Sequence, residues 1–214
     1  MELLSVIHIV YIMNFFIFYD KCLREYGFLN PYYAIHAIHN ACIVYLTHKD
    51  VIITLTDFSN ISSYPANMDA VKLCIALHLY HLLMYWRSFR MDDWLHHVLM
   101  IGVAIPIGVA INSNTLMGFS LFFTTGLPGG IDYALLFLVR NNVLESMTEK
   151  RINRFCNVWI RSPGCIAHAI LTLVFALKNE YSLALIPSAL TFWNGQYFME
   201  KVVADHSGRS VSLG

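Results

Sequence analysis

The chain has 214 residues, of which 57% are hydrophobic and only 13% are charged. Its mean hydropathy of +0.54 is too high for a soluble domain of this size, so the composition indicates an integral membrane protein. Lysine plus arginine and aspartate plus glutamate each number 14, so the formal net charge of zero creates no general attraction for nucleic acid. We therefore expect membrane lipids as partners, together with other membrane protein subunits, and no nucleic acid.

Seven apolar runs of about one bilayer thickness follow one another along the chain. They cover residues 2–19, 28–46, 70–86, 94–111, 115–139, 155–177 and 182–199. The first run lacks the basic start and the small-residue cleavage site of a signal peptide, so we interpret residues 1–27 as a retained transmembrane anchor helix. The other runs predict a transmembrane helix bundle over residues 28–201, followed by a short polar C-terminal tail over residues 202–214. The expected fold class is all-α, with six to seven transmembrane helices around a central cavity.

Two kinds of irregularity interrupt these runs. Residues 47–69 form the longest polar connection, with a β-branched piece and the sequon at Asn60, and we expect an extramembrane loop there. Glycine and proline at 126–130 (GLPGG) and at 161–164 (RSPG) predict breaks in two transmembrane helices. Broken helices at membrane depth are tolerated where they line a cavity.

The distribution of lysine and arginine predicts the orientation of a seven-span chain. Ten basic residues fall on one side and three on the other. The ten are Lys21, Arg24, Arg87, Arg90, Arg140, Lys150, Arg151, Arg154, Lys201 and Arg209, and the three are Lys49, Lys72 and Lys178. Because basic loops stay in the cytosol, we expect a lumenal N-terminus and a cytosolic C-terminus. Asn60 then faces the lumen, where glycosylation occurs, so we expect the endoplasmic reticulum membrane, with the mitochondrial inner membrane as the alternative.

Ionisable residues are concentrated near the start of the fourth run. Residues 87–100 (RSFRMDDWLHHVLM) join two arginines, two adjacent carboxylates and the pair His96 and His97 to a long apolar sequence. A charged side chain in a membrane costs at least about 2.5 to 3.5 kcal/mol. At 1.5 Å per residue, Asp132 lies roughly 12 Å from the same membrane face, and Arg161 lies near it in the next span. We predict that these groups project into a central cavity open to the cytosol, although Asp132 as a helix cap and Arg161 as a snorkelling residue are the alternatives.

Two further histidine pairs, His36 with His39 and His78 with His81, have a spacing of three residues. Such pairs on neighbouring helices could ligate haem iron or a metal, which would make this a redox protein. The H-x-x-H-H motif of membrane di-iron oxygenases is absent, however, and intramembrane histidine commonly forms interhelical hydrogen bonds. We therefore expect no metal and no cofactor.

The tandem histidine with an acidic-aromatic lead-in, and the downstream aspartate in IDYALLFLV, resemble the TLC family of ceramide synthases, translocon-associated proteins and lipid-regulating membrane proteins. The resemblance covers residues 28–201. The histidine pair of the family falls on His96 and His97, and the second aspartate of its H-D-x-x-D pattern falls on Asp132. The histidine and first aspartate of that pattern fall on Pro128 and Gly129, and Met100 stands where the family has threonine.

The resemblance implies an acyltransferase that moves an acyl group from acyl-CoA, its co-substrate, to a lipid amine or alcohol. A histidine beside a carboxylate suits the general-base step of this reaction, so the catalytic residues are His96, His97 and Asp132. Substrate binding is assigned to Arg161, Asn194, His78 and His81, with Arg161 or the Arg151 and Arg154 cluster attracting the CoA phosphates. The departures from the pattern favour the alternative, a non-catalytic lipid-binding protein or an accessory structural subunit of a larger membrane complex.

Overall fold

The computed structural model describes residues 3–110 and 114–212. Within these ranges the chain is helical and contains no β-strand, which confirms the predicted all-α class. The long helices are α1 (Leu3–Glu25), α2 (Pro31–Thr56), α3 (Met68–Tyr85), α4 (Met91–Ala110), α5 (Thr115–Arg140), α6 (Ser146–Asn179) and α7 (Leu185–Ser212). The predicted span ends at residues 2 and 111 lie outside the described residues.

Four of the described helices are long and apolar enough to cross a membrane. They are α1 from Ser5 to Glu25, α4, α5 and α6. Helix α6 has 34 residues, which exceeds the roughly 20 that a bilayer requires, so part of it must lie outside the hydrocarbon if it spans. These helices are compatible with an integral membrane protein, as the composition predicted.

Helices α4, α5 and α6 each pass through a π-helical turn without breaking. The turns cover Met100–Ala104, Phe122–Gly126 and Asn157–Arg161. The predicted breaks at 126–130 and 161–164 are therefore wrong. Pro128 and Pro163 each occupy the first turn of the α-helical segment that follows a π turn. A proline without an N–H is tolerated at such a position, and π turns are frequent at functional sites.

The prediction of an extramembrane loop over residues 47–69 is wrong for its first part, because α2 continues to Thr56. Two threonines of this extension are buried and bonded within the protein. Thr47 donates to the Ile43 carbonyl at 2.6 Å, and Thr54 donates to Thr115 of α5 at 3.0 Å. The connection proper is a short 3₁₀ helix, Phe58–Ser63, which carries the exposed Asn60.

Helix α2 lies against α5 at a glycine-rich crossing. Methyl Cβ atoms placed on Gly126 and Gly130 would lie 3.2 Å from Ile43 and 3.3 Å from Asn40. Helix α1 packs at the edge of the bundle on α3, where the fully buried Asp20 accepts hydrogen bonds from two tyrosine hydroxyls of the α3 region, Tyr80 and Tyr85. The small residues thus allow close approach in the centre, and a buried carboxylate attaches the first helix.

Contacts between distant residues bring most of the basic segments to one end of the bundle. These contacts are Arg24 with Tyr85 (2.6 Å), Lys201 with Asp92 (3.6 Å) and Lys150 with Asp205 (2.9 Å). We call this the basic end. At the opposite end Pro65 bridges to Asn114, close to the start of α5. The segments with most of the lysine and arginine residues therefore share one end, and the sequon lies near the other.

Candidate functional site

A cavity of about 830 Å³ lies between α2, α3, α4, α5, α6 and α7, and none of the described residues of α1 lines it. Its lining reaches the basic end, where Arg90, Asp92, Asp93 and Lys201 form the rim. Seven residues predicted for the site line this cavity, namely His78, His81, His96, His97, Asp132, Arg161 and Asn194. Arg151 and Arg154, the alternative partners of the CoA phosphates, are exposed and lie outside its lining. The volume falls within the range of about 300 to 1,000 Å³ that is typical of small-molecule sites.

Histidines from three helices form one side of the cavity, which we call the histidine wall. It consists of His36 and His39 of α2, His78 and His81 of α3, and His96 and His97 of α4. The rings touch across the helix boundaries. The ring centroids of His36 and His81 stack at 4.4 Å, and those of His78 and His97 lie 5.1 Å apart. The spacing of three residues places each pair of α2 and α3 on one helical face, so the sequence pattern predicts this convergence.

The acidic residues before the tandem histidine have mainly local roles. The Asp93 carboxylate accepts a hydrogen bond from the Arg90 backbone N–H at 2.9 Å and so caps the start of α4. Asp92 forms ion pairs with Arg90 at 3.4 Å and Lys201 at 3.6 Å. These two carboxylates therefore fix the start of α4 and connect it to α7.

Backbone carbonyl groups determine which nitrogen carries the proton in three rings of the wall. The Nδ1 atoms of His36, His78 and His97 lie 2.7, 2.7 and 2.8 Å from the carbonyl oxygens of Tyr32, Cys74 and Asp93. A carbonyl oxygen only accepts, so each Nδ1 carries the hydrogen, and in the neutral ring Nε2 is a lone-pair acceptor. The Nε2 atom of His97 is buried and has no hydrogen-bond partner.

Two further rings of the histidine wall have a free Nε2 atom. The Nε2 atoms of His39 and His81 are likewise buried and unpartnered. Such nitrogens can accept a hydrogen bond or a proton from a hydroxyl or amine. Despite the many rings, the described residues include no group of three or more His, Cys, Asp or Glu side chains arranged to hold a metal ion.

A second polar group lies on α5 and α6. The Arg161 guanidinium is 6% exposed, donates to the Asn157 side-chain oxygen at 2.8 Å and lies 4.8 Å from the centroid of the Phe198 ring. Its Nε and the Oδ1 of Asp132 are buried without hydrogen-bond partners. Within the described residues Arg161 and Asp132 form no ion pair at or below 4.0 Å. Because buried charges are normally paired, both groups require a polar partner or water in the cavity.

A line of buried polar residues at every fourth position of α6 leads to Arg161, and we call it the α6 polar ladder. It consists of Glu149, Asn153 and Asn157, which are 1%, 6% and 0% exposed. Asn153 donates to Glu149 at 3.4 Å, and Asn157 donates to the Asn153 carbonyl at 2.9 Å. The prediction missed this ladder because Glu149 and Asn153 lie between the predicted runs 115–139 and 155–177, although the spacing of four residues is visible in the sequence.

The outer end of the ladder is attached to α7. Lys150 pairs with Glu149 at 3.1 Å and with Asp205 at 2.9 Å. Burial alone would raise the pKa of Asp205, but hydrogen bonds from Lys150 and Arg209 outweigh it and lower that pKa below its ordinary value. The ladder thus connects an ion pair at the basic end to the guanidinium in the cavity.

Two tyrosines, which the sequence prediction missed, join the two polar groups. The ring of Tyr133, the neighbour of Asp132, lies 4.2 Å from the ring of His36. The ring of Tyr32 lies 4.0 Å from the ring of His36 and 6.1 Å from that of Tyr133. Aromatic residues are common in membrane helices, so their position at this site had no distinct signal in the sequence.

Gly129, where the first aspartate of the resembled pattern would fall, faces two hydrogen-bond donors. A Cβ atom on Gly129 would lie 2.9 Å from the Asn40 amide nitrogen and 3.5 Å from Arg161 Nη2. The Asn40 amide nitrogen is buried and has no hydrogen-bond partner. No family model, curated protein or solved structure matches the chain, so the resemblance to the TLC family depends on the sequence motif.

Proposed function

We propose that this chain is a lipid-handling membrane protein of TLC type, with six or seven transmembrane helices around a central cavity open to the cytosol. We further propose that it transfers an acyl group from acyl-CoA to a lipid hydroxyl or amine. The observation that supports this proposal is the buried, unpartnered Nε2 of His97, which shares a cavity with the unpaired Asp132 and Arg161. A base and a cation in one cavity within an apolar helix bundle suit this reaction.

The base in the proposed reaction is His97. Its Nε2 accepts the proton of the attacking hydroxyl or amine, while the Asp93 carbonyl holds the other ring nitrogen in its protonated form. The nucleophile adds to the thioester carbonyl, and Arg161 stabilises the oxyanion that develops. The carbon–sulfur bond then breaks, and the proton leaves with CoA as its thiol. Asp132 contributes a carboxyl group to the same polar site. His96 orients the histidine wall through a hydrogen bond between its Nε2 and the Nε2 of His78, 3.3 Å away.

The proposed orientation places the cavity mouth at the cytosolic face. The rim residues Arg90 and Lys201 belong to the basic end, which holds most of the lysine and arginine residues. Basic loops stay cytosolic, and a cytosolic mouth admits the water-soluble part of acyl-CoA. The sequon at Asn60 near the opposite end supports the endoplasmic reticulum membrane as the location.

A second candidate is a non-catalytic lipid-binding protein or an accessory subunit of a larger membrane complex. The glycine at position 129 favours it, because the chain lacks the first aspartate of the family pattern there. Large apolar side chains on the outer surface, such as Trp159 (69% exposed) and Leu177 (71% exposed), suit contact with lipid or with neighbouring subunits.

Mass-spectrometric identification of the molecule that copurifies in the cavity, combined with a turnover assay using acyl-CoA and lipid acceptors, tests the proposal. We expect one bound lipid with an acyl chain per protein molecule, and turnover that is lost when His97 is replaced. A bound lipid without turnover would support the binding function instead. Haem in the cavity would refute both and favour a redox protein.

A further inference from the structure

The buried positive charge of Arg161 needs an accompanying anion. Among the described residues its guanidinium forms no ion pair, and its hydrogen-bonded neighbour is the neutral amide of Asn157. Stacking on the Phe198 ring, 4.8 Å away, fixes the plane of the guanidinium without neutralising it. A guanidinium held in this way and 6% exposed is a site for a charge-assisted hydrogen bond to a carboxylate or phosphate.

Asp132 determines whether a carboxylate or a phosphate is the better partner for Arg161. Its carboxyl group lines the same cavity and has an unpartnered Oδ1. A phosphate dianion would meet this carboxylate as a like charge, whereas two carboxyl groups can share one proton. The pair of Arg161 and Asp132 therefore favours a carboxyl or acyl carbonyl group, whose oxygen accepts a hydrogen bond from the guanidinium.

The part of the cavity farther from the basic end is suited to a hydrocarbon chain. Its lining includes Leu116, Leu121, Phe175, Ala184, Pro187 and Leu190. Several polar side chains there bond to one another, as Thr172 does with His168 at 3.1 Å and Ser120 with Thr191 at 3.3 Å, although Nδ1 of His168 has no partner. Phe175 lies roughly 21 Å beyond Arg161 along α6 at 1.5 Å per residue.

We infer that the cavity binds a long-chain fatty acyl group with its carboxylate or carbonyl end at Arg161 and its chain directed along α6 towards Phe175 and Ala184. This inference rests on the proposed lipid-handling function and adds the orientation of the ligand and the residue that recognises its head group. It places the acyl carbonyl at α6, whereas the histidine wall belongs to α2, α3 and α4.

Binding of radiolabelled palmitate and hexadecanol to the purified full-length protein in detergent tests the role of Arg161. In Arg161→Gln we expect palmitate affinity to fall about 10- to 100-fold, because a hydrogen bond to a charged group is lost, while hexadecanol affinity stays unchanged. Arg161→Lys should retain part of the palmitate affinity. The matched control is Arg140→Gln, which removes an exposed arginine outside the cavity lining and should leave palmitate affinity unchanged.

A second pair of variants tests the direction of the bound acyl chain. Ala184 is fully buried and lines the far part of the cavity. Ala184→Phe should weaken palmitate binding about tenfold or more and leave decanoate binding intact, because the side chain fills only the end of the channel. Ala189→Phe adds the same ring to an exposed position of α7 outside this cavity and serves as the control. This pair keeps the test open if the Arg161 variants do not fold.

The outcomes separate this inference from the catalytic proposal. Arg161-dependent palmitate binding without any acyl transfer would support the inference and refute the proposed reaction. Palmitate binding by Arg161→Gln as tight as that of the unmodified protein, together with His97-dependent turnover by the unmodified protein, would overturn the inference and leave the general-base step of the proposed reaction standing. Equal affinity of the unmodified protein for palmitate and hexadecanol, or equal palmitate binding by Ala184→Phe and Ala189→Phe, would also overturn it.

Discussion

The Nε2 atoms of His78 and His96 lie 3.3 Å apart across the boundary between α3 and α4. Because the Cys74 carbonyl keeps the proton of His78 on Nδ1, Nε2 of His78 accepts and Nε2 of His96 donates in the neutral pair. His96 is thereby committed to His78, whereas Nε2 of His97 has no partner. Within the tandem pair, His97 is therefore the ring available to take a proton from a substrate.

The first prediction concerns metal content. We expect the purified protein to show no Soret band and no stoichiometric metal. Among the described residues no group of three or more His, Cys, Asp or Glu side chains could hold an ion, and His36, His78 and His96 already bond backbone carbonyls or one another. An absorption spectrum and elemental analysis provide the measurement. One haem or one metal ion per chain would contradict the prediction and make a redox function the first candidate.

A second prediction concerns membrane topology. Residues 140–154 should face the cytosol, or the matrix if the protein is mitochondrial, and Asn60 should face the other side, because most lysine and arginine residues lie at the basic end. Single cysteines at Ser146 and Ser62 in a cysteine-free background should react with impermeant reagents from opposite sides. Reaction of both from one side would exclude the seven-span arrangement.

Much of the fold was predictable because long apolar runs and histidine spacing are properties of helices themselves. His78 and His81 both face the cavity because residues three apart share a helical face, as His36 and His39 also do. The extension of α2 past Thr47 was not predictable in the same way. Its polar side chains are stabilised by partners such as Thr115, which is distant in sequence.

Glycine and proline were the other source of error, because their role here is close packing and not helix termination. Gly164 follows Pro163 in α6 and faces Phe123 of α5, where a Cβ atom would lie 2.2 Å from the ring. The sequence shows a proline–glycine pair, which is typical of a helix break. Only the contact with α5 explains why position 164 has no side chain.

The same contact yields a third prediction. Gly164→Ala should lower the thermal midpoint in detergent, with a loss of about 1 to 3 kcal/mol in stability, because the added methyl overpacks the crossing of α5 and α6. Gly208→Ala is the matched control, since a Cβ atom there meets nothing within 4 Å. The control should be neutral or slightly stabilising through its helix propensity. Equal midpoints for the two variants would show that the crossing is looser than described.

The fourth prediction distinguishes catalysis from structural support at the histidine pair. His97→Ala should reduce acyl-transfer turnover by roughly 10² to 10⁴, the effect of losing a general base. It removes the packing of a 7% exposed ring but no interhelical hydrogen bond, because the Nε2 of His97 bonds no protein group. His96→Ala should lower turnover less and also lower stability by about 0.6 to 2 kcal/mol, since it removes an interhelical hydrogen bond to His78.

His48→Ala provides the control for both variants. His48 is exposed, lies outside the cavity lining, and has Nδ1 at 2.6 Å from the Tyr45 carbonyl, so its ring has the same protonation pattern as His97 without access to a substrate. Its replacement should leave turnover and midpoint unchanged. If His97→Ala keeps full turnover while its midpoint falls, the histidine wall is structural, and the lipid-binding or accessory function replaces the acyltransferase.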